Sequence, residues 1–357
     1  RLVLSLRYGK ITIFLDLTRY MLFWAKYVSH SFYDLRQFMK AIPFTWHFLH
    51  PRYWPIWLLL IPLLFVFSKL PWGIQRRIGT FLGLLVYSVI GQRRRDTATN
   101  IRLCFPEASE HEQAMMVKDV FIQGGISIFE TANAWFKPKE YYHKKVTIQG
   151  LHHLQAAKAE GKGILLLGAH YSFVDLCGLL AIIFFPVDTV YRPQNNKALE
   201  YFMVKRRLRI YDYQIDHDNM RLLIKALKEN HTVWYTPDQD FGLKQGVFAP
   251  FFGVQAATVT APRRLQKINN SAVMLVHFRR HPVLEQYEIL ITPRLENYPS
   301  DDPVADATLV NHHLEQLIRR SPTQYMWFHR RFKTRPEGEA MPYPKKRRHL
   351  KEEQGNI

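Results

Sequence analysis

The chain of 357 residues is long enough for one large or two small domains with a sizeable core. Its 49 Lys and Arg against 30 Asp and Glu leave a formal charge of +19, which calls for anionic partners: nucleic acid, acidic lipid or an acidic protein. Two cysteines, Cys104 and Cys177, exclude a disulfide framework and a zinc site, and the absence of a zinc-finger, helix-turn-helix or RNA-binding signature argues against nucleic acid.

The chain opens on Arg1, and residues 1–38 mix apolar and basic residues without a cap or repeat. They read as an extension: a membrane-surface helix, or, the favoured reading, sequence outside the mature protein. Tyr53 to Ser68 carries no charge and is dominated by Leu, Ile, Phe and Trp. As a helix it would span roughly 24 Å, short of the roughly 30 Å hydrocarbon core, unless Lys69 snorkels and Leu70 and Trp72 lengthen it. Trp54, Trp57 and Trp72 are placed as interfacial anchors, and Pro62 predicts a kink. A single span and a monotopic anchor both fit. Lys69, Arg76 and Arg77, then Arg93 to Arg95, put the C-terminal side in the cytoplasm. Ile78 to Ile90 is too short to span and reads as a helix on the domain or membrane surface.

From Asp96 to Tyr142 the pattern is helical, broken once at Phe105-Pro106, with Ser109, Glu110 and Glu112 opening a new helix. Its Met and aromatic stripe reads as core. From Val146 onward strands and helices alternate. Strands are predicted at 146–149, 163–168, 187–192, 232–236, 272–278 and 286–292. Helices are predicted at 151–160, 174–184, 197–208, 218–229, 257–268 and 303–319, with Asp218 capping one and Asp302-Pro303 opening the last. This alternation predicts an α/β fold, a mixed, mostly parallel sheet with helices on both faces. Residues 39–95 then form an anchor and surface helix, 96–338 the main domain, and 339–357 a basic tail, disordered and close to the membrane, with Lys345 to Arg348 as its charge run.

Within the domain, Ile164 to Leu167 is a buried-strand run followed by Gly168, Ala169 and His170. Strand ends are where open α/β sheets place their chemistry. Asp175, in the first turn of the next helix, is positioned to accept from one imidazole nitrogen and leave the other as a base. Arg192 ends the next predicted strand and lies near His170 if the two strands are neighbours. Asp238 and Asp240 follow another strand; two acids without a histidine make a poor cation site, so they are expected to bond backbone and Arg192 or Arg263. Residues 247–253 read as an apolar loop, either core or the wall of an acyl slot. Cys177 and Ser172 lack an adjacent base or nucleophile elbow and read as inert. In Trp327 to Arg335, aromatics hold the cations Arg330, Arg331, Lys333 and Arg335 against the domain as a placed cluster.

The His170-x4-Asp175 pattern resembles that of the glycerolipid acyltransferase superfamily. His50-Pro-Arg-Tyr-Trp54, Leu103-Cys-Phe-Pro-Glu107, Tyr191-Arg-Pro193, Val233 to Asp240 and Gln324 to Pro336 narrow it to a resemblance to the lipid A secondary acyltransferases, running from about His50 to about Gly338. The resemblance implies transfer of a medium-length acyl group, expected to be lauroyl, from acyl carrier protein to a hydroxyacyl chain of an anionic, Kdo-bearing lipid A precursor. It implies His170 as base, Asp175 as its orienter, and Arg192 at the oxyanion or an acceptor phosphate. Asp238, Arg330, Arg331, Lys333 and Arg335 become substrate-binding candidates, and no metal or cofactor is expected. It also tips the anchor toward a span in the bacterial inner membrane, with the domain facing the cytoplasm. The alternatives are a related acyltransferase using another glycolipid or a coenzyme A donor, and a non-catalytic basic lipid-binding protein.

Overall fold

Beyond Val146 the short apolar runs are strands and the amphipathic segments between them helices, as the alternation predicts. The computed structural model describes residues 3–8, 11–16, 43–211 and 213–344. Val3–Tyr8 (β1) and Ile11–Asp16 (β2) pair as an antiparallel hairpin instead of a surface helix. The main sheet contains Val146–Gln149 (β3), Ile164–Gly168 (β4), Asp188–Tyr191 (β5), Gln214–Asp216 (β6), Thr232–Tyr235 (β7), Ala272–Arg280 (β10) and Tyr287–Ile291 (β11). Its order is β3-β11-β10-β4-β7-β5-β6, parallel except where β10 meets β11. Every residue of β4 is buried, which is why its sequence is a continuous apolar run and not an alternation. The space over Gly168 is taken by the Trp234 indole, since a Cβ there would lie 2.4 Å from Nε1.

The crossover helices are Leu151–Ala159 (α5), Val174–Ala181 (α6), Lys197–Arg207 (α7), Met220–Lys228 (α8), Ala261–Asn269 (α9) and Pro303–Arg319 (α10). Asn219, not Asp218, caps α8 by accepting from the Leu222 N–H, whereas Asp302 caps α10 as expected. Two features of this half escape the periodicity. Strand β6 is only three residues long. Gly246–Phe251 (β8) and Val254–Val259 (β9) form a hairpin where an apolar loop and the start of a helix are predicted. Its turn residues Phe252 and Gly253 both take positive φ, the geometry of a two-residue hairpin turn, but without the Asn-Gly signature that announces one. The following helix therefore starts only at Ala261.

Ahead of the sheet lie Ile61–Lys69 (α1), Trp72–Val89 (α2), Gly91–Cys104 (α3) and Glu110–Phe136 (α4). A π-helical stretch, Pro55–Leu60, leads into α1 and takes up the Pro62 ring and its missing N–H, where a kink is predicted. Ser109 caps α4 through a full capping box with Glu112. Helices α2 and α4 meet through glycine: a Cβ on Gly125 would lie 2.1 Å from the Gly79 carbonyl oxygen. Among the described residues, one helical stretch, Pro51–Lys69, is long and apolar enough to cross a membrane, with mean hydropathy 1.4. Met341 to Pro344 belong to the fold, not to a disordered tail: Tyr343 is buried and donates to Asn100 Oδ1 at 2.5 Å. The run Lys345 to Arg348 lies outside the described residues.

Candidate active site

His170 leaves the C-terminal end of β4, and Asp238 leaves that of its parallel neighbour β7. Adjacent strand ends bring the two side chains together. Asp238 Oδ1 lies 2.7 Å from His170 Nδ1, and Oδ2 accepts the His170 backbone N–H at 3.0 Å. The Tyr325 hydroxyl donates to the same carboxylate. With Nδ1–H held by Asp238, Nε2 is the free basic nitrogen. Thr236 Oγ1 and Gln239 Nε2 stand 3.3 and 3.2 Å from it. The imidazole keeps 24% of its side chain exposed, enough for a substrate hydroxyl to meet it. Burial works against the imidazolium, but the charge and hydrogen bond of Asp238 outweigh it and raise the His170 pKa above its ordinary value. Burial would likewise raise Asp238, yet the His170 charge, the His170 donors and Tyr325 pull it down to about 2.

Asp175 does not meet His170 in this structure. Its carboxylate accepts from Arg207, in the last turn of α7, with Nε–Oδ1 at 2.7 Å and both side chains largely buried. A buried carboxylate beside a guanidinium gains more from that charged partner than from an imidazole. Arg192 is not beside His170 either. β7 lies between β4 and β5, so Arg192 sits two strand spacings, about 10 Å, from the β4 line. It is exposed and has no ion-pair partner among the described residues.

Asp238 and Asp240 do not bond Arg192 or Arg263. Asp240 accepts from the Thr334 N–H and hydroxyl at 2.8 and 2.9 Å and from the Gly242 N–H, while Arg263 pairs with Asp306 at 2.6 Å. Three of the four expected substrate cations are also spent on the domain. Arg330 makes two bonds to Asp96, both at 3.0 Å. Arg331 is buried and donates to the Ala257 carbonyl at 2.6 Å and to Thr258 Oγ1 at 2.9 Å. Arg335 donates to the Gln255 carbonyl and Glu339. Only Lys333 of the four is exposed without a partner among the described residues.

The block from Gln324 onward instead covers the site. The Met326 N–H donates to the His170 carbonyl at 2.8 Å, the Ser172 N–H to the Gln324 carbonyl at 2.9 Å, and Tyr171 bridges Tyr325. Asn100 of α3 holds the Trp327 and His329 carbonyls, both at 2.8 Å, and the His329 ring stands 6.2 Å from the His170 ring. Cys104 and Cys177 are buried, and burial pushes both thiols up, away from nucleophilic use. The Ser172 hydroxyl is buried without a base beside it. Sequence reasoning missed Thr236 and Gln239 although they flank Asp238 in a quoted motif. Position just past a neighbouring strand end is the signal that finds them. Arg207 carries no such signal, because it lies 32 residues from Asp175 on another helix.

This arrangement holds a base with its tautomer set, amide and hydroxyl donors at the reacting nitrogen, and a cover of packed aromatics. It suits proton removal from a hydroxyl that attacks a carbonyl. Residues 41–334 match the family described as bacterial lipid A biosynthesis acyltransferase. Among curated relatives, the chain is similar to the lipid A biosynthesis palmitoleoyltransferase of Escherichia coli (strain K12), 36% identical over 84% of this chain and 98% of the relative. The lipid A biosynthesis lauroyltransferase of the same organism is 36% identical over 85% of this chain and 100% of its own length. A lipid A biosynthesis acyltransferase of Haemophilus influenzae is 35% identical over 84% of this chain and 96% of its own.

Proposed function

The chain belongs to the bacterial lipid A biosynthesis acyltransferases, and we propose that within this family it transfers a lauroyl group from acyl carrier protein to a hydroxyacyl chain of Kdo-lipid IVA. The observation that carries the mechanism is the His170–Asp238 contact at 2.7 Å with Nε2 left free. The acceptor hydroxyl replaces Thr236 or Gln239 at Nε2 and gives its proton to the imidazole. Its oxygen attacks the thioester carbonyl, and the Gln239 amide is the nearest side-chain donor for the developing oxyanion. The intermediate collapses as the C–O bond stays and the C–S bond breaks, and the imidazolium returns its proton to the departing thiolate. Asp238 stabilises the imidazolium between these two transfers. No step calls for a metal or cofactor.

Asp175 takes part through Arg207, as a buried pair that sets the wall beside α6. Arg192 and Lys333 are the uncommitted cations assigned to the phosphates and sugar carboxylates of the precursor. The net charge of +19 supports an acidic carrier as donor and an anionic lipid as acceptor. Full-length similarity to a lauroyltransferase supports the chain length, and the basic residues around α2 support a domain on the cytoplasmic side of the inner membrane.

The test pairs chemistry with product. His170→Ala should lower turnover with acyl carrier protein and lipid IVA acceptors by about 100- to 10,000-fold while acceptor binding persists. Near-normal turnover would reject the base. Mass spectrometry of lipid A from cells lacking the gene should show loss of a lauroyl group; loss of a different chain would correct the donor specificity.

A further inference from the structure

We propose that Pro51–Lys69 does not cross the bilayer, and that it lies with α2 in the plane of the membrane surface as a monotopic face. The inference rests on the membrane placement above and decides its geometry. A crossing helix needs hydrocarbon or other membrane helices around it for about 20 residues. This one is fastened to a single charged domain at both ends. At its start, Trp57 packs on Tyr201 of α7 with ring centroids 6.4 Å apart, and its indole N–H donates to the Phe48 carbonyl at 2.7 Å. At its end, Phe67 stacks on Phe129 of α4 at 4.6 Å, and Gln75 donates to the Phe67 and Leu70 carbonyls. Trp57 and Phe67 are about 15 Å apart along a helix, so one body holds both. That body cannot follow the helix into hydrocarbon, because α7 carries Lys197, Lys205, Arg206 and Arg207 beside Tyr201.

What remains outward is apolar. Leu59, Leu63 and Val66 are exposed on the first helix, and Ile74, Phe81, Leu85 and Val89 form an exposed stripe along α2 at roughly one-turn intervals. Phe81 and Val89 are 64% and 72% exposed, which no water-facing helix needs. Both helices pack on α4, so their outer sides have no partner in the fold. Lys69, Arg76 and Arg77 stand at one end of this surface, and Arg93 and Arg95 at the other. An apolar stripe bracketed by cations fits one occupant, a bilayer with anionic head groups, entered about 5–10 Å deep. Past the end of α2, Arg93 donates to the Phe328 carbonyl, one residue from His329, whose ring neighbours His170. The catalytic base therefore lies close to where α2 ends. An acceptor can keep its chains in the leaflet while its hydroxyl reaches Nε2.

The full chain with Thr45→Cys or Gly73→Cys tests this, since both positions are exposed and the native thiols Cys104 and Cys177 are buried. In intact spheroplasts neither variant should react with a membrane-impermeant maleimide, and both should react once the membrane is opened. Labelling of Thr45→Cys alone from outside would put the two ends on opposite sides and overturn the proposal. Labelling of both from outside would keep the helix uncrossed and reject the cytoplasmic placement instead. Independently, Phe81→Glu with Val89→Glu should weaken binding to phosphatidylethanolamine–phosphatidylglycerol vesicles by about tenfold or more without changing the melting temperature. Unchanged binding would mean that the first helix alone is the anchor.

Discussion

Two carboxylates compete for one role, and their partners separate them. Asp238 touches His170; Asp175 touches Arg207. If His170 must be neutral to act, the acid limb of kcat/KM tracks its pKa, which Asp238 raises. Asp238→Asn removes the charge that stabilises imidazolium. The limb should move to lower pH while the plateau falls. Asp175→Asn should leave the limb where it is. It should instead cost stability on the order of 3–5 kcal/mol, as expected when one member of a buried pair is removed. pH–rate profiles and thermal melts of the two variants decide between them. A limb shift in Asp175→Asn alone would restore Asp175 as the orienter.

Elements carry the site as much as side chains do. The backbone of residues 324–326 is stitched to 170–172, and α3 stitches the same block from the other side through Arg93, Asp96 and Asn100. The arginines of the block therefore work as rivets. α3 is held in turn by the helices before the sheet, where α2 and α4 approach at glycine. Gly125→Ala forces a methyl against the Gly79 carbonyl and should cost about 1–3 kcal/mol. Gly73→Ala, with nothing within 4 Å of its Cβ, should melt like the parent. Equal melting temperatures for the two variants would show that the contact relaxes.

For the whole molecule, charge governs encounter. A surface with a net charge of +19 and an acidic carrier attract over a distance that salt screens. Turnover with acyl carrier protein should fall with ionic strength more steeply than turnover with a short uncharged thioester. Parallel salt profiles would remove steering from the account of the donor.

Local pattern sufficed for a good part of this protein. Apolar runs against amphipathic stretches mark the six longer strands and the helices between them. Ser109, Asp302 and Pro303 mark helix starts, and the run before His170 puts that residue at a strand end. These signals work because periodicity and capping act over a few residues. The tertiary structure decided what depends on distant neighbours. The insertion of β7 between β4 and β5 chose Asp238 over Asp175 as the partner of His170 and moved Arg192 away. Folding of the last block onto α3 and the β8–β9 hairpin turned Arg330, Arg331 and Arg335 from free cations into paired ones. Contact with α7 at one end and α4 at the other laid an apolar stretch of nearly membrane-spanning length along the domain. Burial selects such partners only after the sheet order is set, and no short-range pattern encodes that order.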